Sequence, residues 1–337
     1  MSAAVAMAPE ATRDEAAPLL SARALTKHFP IGRSLLPSRR GTVRAVEAVD
    51  LDIAPGEVVG VVGESGSGKS TLGRLVLRLL EATSGTVSFE DQDLGALDAN
   101  ALRRFRRNFQ MIFQDPISSL NARMTVGGIL TEPLRLHFGL DGRAAEAAAV
   151  RLLEQVGLSA RHMKRYPRSF SGGQGQRIAI ARALASSPKF IVADEPVSAL
   201  DVSVQADVVN LMRSLQQELR LALMFISHDL SVVEVIADRV VVLYLGRVME
   251  SAPTEALYRR PAHPYTAALL QAVPGAVSPE NRVILKGEIP SPAAPPSGCV
   301  FRTRCPFAIA DCARTVPPLR EVAPDQFKAC IRDDIAL

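Results

Sequence analysis

The chain has 337 residues, 47% hydrophobic and 22% charged, an ordinary balance for a protein with a packed core. Its length suits one large domain and a smaller one, and its net charge of +4 is too small to argue for nucleic acid by itself. No apolar run reaches the roughly eighteen residues that span a bilayer, so any membrane role is peripheral. The Ala-rich residues 1–20 lack a basic-then-apolar export pattern and read as a loose tail.

In chain order, Ser21 to Phe29 and Val43 to Ile53 predict two strands around a Pro/Gly/Arg-rich loop, Pro30 to Gly41. Phe29, a lone aromatic at a strand end, suits either plain packing or stacking on a planar ligand. Val58 to Val62 is short, apolar and β-branched, like a buried parallel strand. It runs into Gly63-Glu64-Ser65-Gly66-Ser67-Gly68-Lys69-Ser70, which fits G-x-x-x-x-G-K-[ST]. Leu72, Leu75, Val76, Leu79 and Leu80 then form one helical stripe. Glycines in that setting let backbone N–H groups converge on an anion, and the helix N-terminus adds positive potential. Lys69 is placed for the β- and γ-phosphates of a nucleoside triphosphate, and the Ser70 hydroxyl for Mg²⁺.

Asp98 to Asn108 predicts a helix bearing Arg103, Arg104, Arg106 and Arg107, read as a solvated face ahead of a contact for an acidic partner or RNA. Gln110 to Pro116 is a strand running into a turn, with Gln114 able to reach a metal ion and an attacking water. Pro116 to Phe170 turns helical, with an Ala-rich helix at Gly142 to Val156 and a stop at Gly157. Phe170-Ser171-Gly172-Gly173-Gln174 opens a further helix; Ser171 is a natural N-cap and the glycines bare its first amides, which reads as an ordinary cap or as a second anion site. Phe190 to Asp194 is an apolar strand ending in Asp194 and Glu195, and adjacent acids there are costly unless a cation or proton transfer employs them. Asp194 suits the Mg²⁺ shell and Glu195 a proton from the attacking water. A tight turn, Ser198 to Asp201, precedes a helix (Ser203 to Leu219), a strand (Ala222 to Ile226) and His228. Arg239 to Glu250 alternates around Gly246 as a hairpin, His263-Pro264-Tyr265 opens a new helix, and Ser291 to Gly298 is a linker. The four cysteines, Cys299, Cys305, Cys312 and Cys330, all lie beyond it.

These motifs, in this order over residues 20 to about 260, resemble the nucleotide-binding subunit of ATP-binding cassette (ABC) transporters. Gly63–Ser70, followed by Thr71, resembles Walker A; Gln114 the Q-loop glutamine; Ser171-Gly172-Gly173-Gln174 the signature; Phe190–Asp194 Walker B with Glu195 beside it. Ser198–Asp201 resembles the D-loop, His228 the H-loop and Phe29 the adenine-stacking aromatic. His263-Pro264-Tyr265-Thr266 and the cysteine segment are similar to the extension on ATP-binding subunits of dipeptide/oligopeptide and nickel importers. Phe170 stands where leucine is usual, Gly175 where arginine is common, and Val197 where threonine is common.

The resemblance implies an α/β P-loop NTPase fold: a mixed sheet core, an antiparallel β subdomain and a helical subdomain at about 116–185 within 21–260, followed by a C-terminal domain at 261–337. It implies ATP and Mg²⁺ as ligands, with Ser70, Gln114 and Asp194 toward the ion, and ATP held between Walker A of one subunit and the signature of another. Lys69, Gln114, Glu195 and His228 would carry catalysis, with Asp201 contributing from the D-loop. The expected partners are a second ATP-binding subunit (a paralogue), two transmembrane permeases and an extracytoplasmic solute-binding protein, at the cytoplasmic face of a bacterial inner membrane, with no nucleic acid. Disulfides are disfavoured in a reducing cytosol, and the spacings are wider than the C-x₂-C pairs of zinc sites. The resemblance points the four cysteines to a [4Fe–4S] cluster, with Zn²⁺ or free thiols as alternatives. A soluble ABC ATPase acting on nucleic acid and an exporter ATPase are the competing functions.

Overall fold

The computed structural model describes residues 17–31, 41–273, 285, 287–335 and 337. Most of the expected tail, residues 1–16, and most of the first loop lie outside them. Leu19 and Leu20 are already buried, so ordered structure begins slightly ahead of the expected strand.

An antiparallel four-stranded sheet, in the order β2-β1-β4-β5, uses β1 (Leu20–Ile31), β2 (Gly41–Ile53), β4 (Ser84–Phe89) and β5 (Gln92–Asp93). The core is an eight-stranded mixed sheet whose parallel part runs β9-β3-β8-β7-β6. These strands are β3 (Val58–Val62), β6 (Phe109–Ile112), β7 (Phe190–Asp194), β8 (Ala222–Ile226) and β9 (Arg239–Tyr244). Antiparallel β10 (Arg247–Pro253), β12 (Gln326–Lys328) and β11 (Arg320–Ala323) complete one edge. The cysteine-bearing region is therefore hydrogen-bonded onto the core sheet, with Glu250 and Ser251 paired to Lys328 and Phe327.

The sheet is buried on both faces, which explains why β3, β7 and β8 read as continuous apolar runs. Val59, Val61, Phe190, Val192, Met224 and Ile226 pack toward α1 (Lys69–Val76) and the four-stranded sheet. Their neighbours Val58, Val62, Ile191, Ala193, Leu223 and Phe225 join the other cluster. That second cluster takes in α4 (Val126–Phe138), α5 (Gly142–Gln155), α6 (Gly172–Leu184), α7 (Val202–Leu219), α8 (Leu230–Ile236) and the C-terminal region.

Most predicted elements fall where periodicity placed them. The first helix is shorter. It ends at Val76 because Arg78 turns left-handed (φ 50°) and Leu79 and Leu80 send their N–H groups back to the Arg74 carbonyl, leaving Leu79 exposed. The arginine-rich segment forms α2 (Ala99–Phe105) plus one 3₁₀ turn. The remaining helices are the single-turn α3 (Pro116–Ser119), α9 (Thr254–Arg259) and α10 (Pro264–Ala272).

Candidate functional site

All the parallel strands end on one edge, so the segments after β3, β6, β7 and β8 converge although far apart in sequence. A cleft of about 500 Å³ opens there. It is lined by Ser65, Gly66, Ser67, Gly68, Lys69, Ser70 and Thr71 of the glycine loop, and by Gln114, Glu195 and His228. Val43 and Ala45 of β2 and Pro292 of the linker complete the wall.

The loop has no room for side chains at two glycines. At Gly63 (φ 147°) a Cβ would stand 2.1 Å from the Leu243 carbonyl oxygen, and at Gly68 (φ 104°) 2.2 Å from that of Ala45. Backbone therefore faces the cleft, and the buried Ser67 hydroxyl has no hydrogen-bond partner among the described residues. Lys69 folds back to donate to the carbonyls of Gly63 (2.7 Å) and Glu64 (3.0 Å). Burial pushes its ammonium pKa below the usual value, opposed by Glu195 and Asp194. A bound polyphosphate would give that ammonium a direct anionic partner.

Asp194, buried at the end of β7, accepts from Ser70 Oγ at 2.7 Å. Desolvation raises its carboxyl pKa, with the Ser70 hydrogen bond acting the other way. A hydroxyl, a carboxylate and the nearby Gln114 amide are hard oxygen donors, the chemistry Mg²⁺ takes. These residues fit a magnesium ion carried with a triphosphate.

Glu195 sits on left-handed backbone (φ 48°) that disfavours a side chain. Its N–H donates to the Ile226 carbonyl at 3.0 Å, and its carbonyl accepts from the Ser198 hydroxyl at 3.0 Å, so both sides of the turn hold it. One oxygen, Oε2, accepts from Gln114 Nε2 at 2.9 Å and faces His228 Nδ1 at 3.4 Å.

Of the predicted residues, Gly63, Glu64 and Asp194 adjoin the cleft without lining it, and the signature, Asp201 and Phe29 also lie outside the lining. Ser171 caps α6 in a capping box with Gln174, and the Gly172–Gly173 start of that helix packs on Leu200 and Val204. Asp201 is exposed at the N-cap of α7. Phe29 is half exposed beneath the Lys27 ammonium, 5.2 Å from its ring centre, and reaches the cleft only through its cross-strand partner Val43. The Ser171–Gln174 helix start is therefore not part of the cleft formed by its own chain's glycine loop.

This geometry can be set beside known proteins. The family model for ABC transporters matches residues 46–198, and the model for the oligopeptide/dipeptide transporter C-terminal region matches residues 249–312. A Brucella ovis protein named for peptide import and ATP binding is 59% identical over 324 residues, covering 94% of this chain and 99% of that one. The chain belongs to the ABC transporter family, as an ATP-binding subunit of the peptide-import type. The oligopeptide transport ATP-binding protein AppF of Bacillus subtilis is 50% identical, covering 93% of this chain and 96% of its own. Among solved structures, the dimeric post-hydrolysis state of the cassette MJ0796 bound to ADP and Pi matches with a TM-score of 0.63 at 29% identity. It covers 70% of this chain and 98% of that one. As a member of this ABC family the protein is an ATPase, and neither the nucleic-acid nor the exporter reading is favoured.

The three departures from the family pattern acquire local reasons. Phe170 packs between His162 (centroids 5.4 Å apart) and the Arg165 guanidinium (4.3 Å). At Gly175 a Cβ would stand 2.7 Å from Ile117 Cδ1, so glycine lets α3, just after Gln114, lie close on the signature helix. Val197 is buried, and its carbonyl accepts from Gln205 Nε2 at 3.0 Å.

The iron–sulfur expectation is not supported. Cys299, Cys312 and Cys330 are buried, Cys305 is half-buried, and all four are free thiols. Burial pushes Cys305 up to about 11 and raises Cys299, with the neighbouring cysteines adding to each shift. Among the described residues no three His, Cys, Asp or Glu side chains form a group that could hold a metal ion. Among the described residues no helix is long and apolar enough to cross a membrane.

Sequence reasoning missed several residues. Gln205 donates to the carbonyls of Val197 and Leu200, both at 3.0 Å, and so straps the D-loop. Tyr265 and Arg304 both reach Glu64 of the glycine loop. The HPYT run flagged Tyr265 as special; nothing about Arg304 among 39 basic residues did.

Proposed function

We propose that this subunit powers import of peptides or a related small solute by hydrolysing ATP between its own glycine loop and the Ser171–Gln174 helix start of a second ATP-binding subunit. One observation carries the reading: the cleft gathers the phosphate loop, Gln114, Glu195 and His228, with Asp194 bonded to Ser70 of that loop, while the second amide-rich helix start is not part of its lining. A γ-phosphoryl transition state spreads charge over its oxygens, so catalysis depends on donors placed all round it. One chain supplies only part of that shell.

In this reading Lys69 leaves the Gly63 and Glu64 carbonyls for the β- and γ-phosphates. Glu195, aimed by Gln114 and backed by His228, takes the proton of the attacking water. Phe29 stacks on the base, and Asp201 lies in the dimer interface. Ser70, Asp194 and Gln114 would hold a magnesium ion, which would supply neutralisation of developing phosphate charge. When product charge replaces ATP between the subunits the dimer loosens, and Gln114, through α3 and its contact at Gly175, passes the motion into the helical region.

The finer assignments follow the family: a paralogue as dimer partner, two permeases, an extracytoplasmic solute-binding protein, and a place at the inner face of a bacterial membrane. The domain division remains 21–260 and 261–337, with the β10–β12 pairing making the second an annex of the first. A cluster at Cys299, Cys305, Cys312 and Cys330 is supported only by four thiols within electrostatic reach of one another. Iron, sulfide and zinc assays on the complete subunit purified without oxygen test it, and a metal-free preparation removes it.

The principal test is hydrolysis as a function of subunit concentration. The rate per subunit should rise as dimers form, and Ser171→Arg should abolish it while leaving nucleotide binding intact. A monomeric preparation that hydrolyses ATP at full rate with Ser171 replaced overturns the shared site. Purification with its permeases and uptake of labelled dipeptides into vesicles tests the cargo.

A further inference from the structure

We propose that Arg304 and Tyr265, both in the C-terminal region, are positioning residues of the ATP site that act through Glu64. Glu64 is the second residue of the glycine loop, and its carboxylate would otherwise stand beside a polyphosphate. Arg304 takes it in a two-pronged grip, Nη1 to Oε2 at 2.6 Å and Nη2 to Oε1 at 3.0 Å. The same guanidinium lies 5.9 Å from the ring centre of Tyr244 at the end of β9, and its side chain is only 7% exposed. Tyr265 Oη accepts from the Glu64 backbone N–H at 2.9 Å. The Glu64 carbonyl in turn holds Lys69 Nζ at 3.0 Å.

Glu64 is thus held at its carboxylate and its N–H by one region, while its carbonyl parks the lysine that binds phosphate. The holding groups are themselves rigid. Tyr244, Tyr265 and Phe301 are each almost fully buried and pack at centroid distances of 4.8 to 5.4 Å, joining β9, α10 and the cysteine segment. The linker meets the same site independently, since the Pro292 carbonyl accepts from Arg44 N–H at 3.0 Å and Pro292 lines the cleft.

Two consequences follow for ATP. Arg304 neutralises a carboxylate that would repel phosphate and turns it away from the cleft, and Tyr265 fixes the peptide plane that sets the loop's curvature. These effects act on binding of the nucleotide and leave the attacking water, aimed by Glu195, untouched.

The test uses the complete subunit in its assembled transporter, with ATP kinetics and Mg-ADP binding by calorimetry as readouts. Arg304→Met should raise both the ATP KM and the ADP Kd about tenfold with kcat within about twofold, because a bare carboxylate is left beside the phosphates. Arg304→Met combined with Glu64→Gln should return both constants to within about twofold of wild type. Tyr265→Phe should raise them by about threefold. A purely structural staple predicts the opposite for the pair: the double variant would be no better than the single one, with a lowered melting temperature and unchanged KM in the folded fraction. That pattern, or wild-type nucleotide constants in both Arg304→Met and Tyr265→Phe, overturns the proposal. Where Arg304→Met does not fold, Tyr265→Phe alone decides. The proposal rests on the cleft being the ATP site; wild-type protein that binds no nucleotide would sink that reading first, a result distinct from unchanged binding in the variants.

Discussion

The cleft and the Glu250 hub beneath the C-terminal region are both built from charged and polar side chains, but they satisfy them differently. In the cleft, partners are provisional: Lys69 rests on two carbonyls, Ser67 Oγ has no partner among the described residues, and Glu195 shares one oxygen between Gln114 and His228. At Glu250, fully buried, the bonds are complete, with donors from Ala262 N–H (2.7 Å), His263 N–H (2.9 Å) and Gln326 Nε2 (3.0 Å). His263 beside it is also buried, and its Nδ1 accepts from Tyr265 N–H at 3.0 Å. Polar groups that must be exchanged for a ligand are left partly unmet, while the Glu250 carboxylate that fastens one region to another is buried and takes three donors. The first arrangement costs stability and permits chemistry; the second does the reverse.

The largest expected effect breaks the cleft alone. Glu195→Gln keeps a hydrogen-bonding side chain of the same shape but cannot accept a proton. Turnover should fall about 10²–10⁴-fold while ATP binding persists, with closed dimers accumulating on size-exclusion chromatography. Near-normal turnover would remove Glu195 as the base.

Breaking the hub should cost folding instead. Glu250→Ala leaves buried donors from Ala262, His263 and Gln326 without an acceptor, a loss of about 2–4 kcal/mol in chemical denaturation. A loss below about 0.5 kcal/mol would mean the hub fastens nothing.

The pH response sharpens the contrast. Burial holds the His263 pKa down at about 3. The unfolded chain protonates this imidazole near its ordinary 6.5 while the folded one stays neutral, so its contribution is complete above pH 6.5 and is lost progressively down to about pH 3. Glu250 runs the other way: burial raises its carboxyl, so its contribution is complete below the ordinary carboxylate range and is lost as pH rises through the raised value. Comparing wild type with His263→Asn cancels the Glu250 contribution. Between pH 6 and 4 the wild type should lose about 1.4 kcal/mol per pH unit more than the variant. Parallel profiles would show that His263 protonates in the folded state.

The smallest effect serves as a reference. Glu255→Ala removes an exposed i,i+4 partner of Arg259, 2.8 Å away, and should change stability by no more than about 0.5 kcal/mol.

The sequence by itself determined the parts of this protein that depend on local order. Val58–Val62 had to be a buried strand because it is apolar and β-branched throughout. The glycine loop had to bare its backbone, and Ser171 with Gln174 three residues on had to cap a helix. Each is a statement about neighbours in the chain, so composition and spacing carry it, and the family's six motifs in order carried the function with them. What only the tertiary structure decided involves partners far apart. That Glu195 is held at φ 48° by Ile226, that Gln205 straps the turn before it, and that Arg304 grips Glu64 across 240 positions have no local signature. An arginine in a Cys/Pro-rich segment looks the same whether it faces solvent or a phosphate loop. The pairing of β10 with β12 docks the C-terminal region on the core sheet, and Arg304 within that region reaches Glu64.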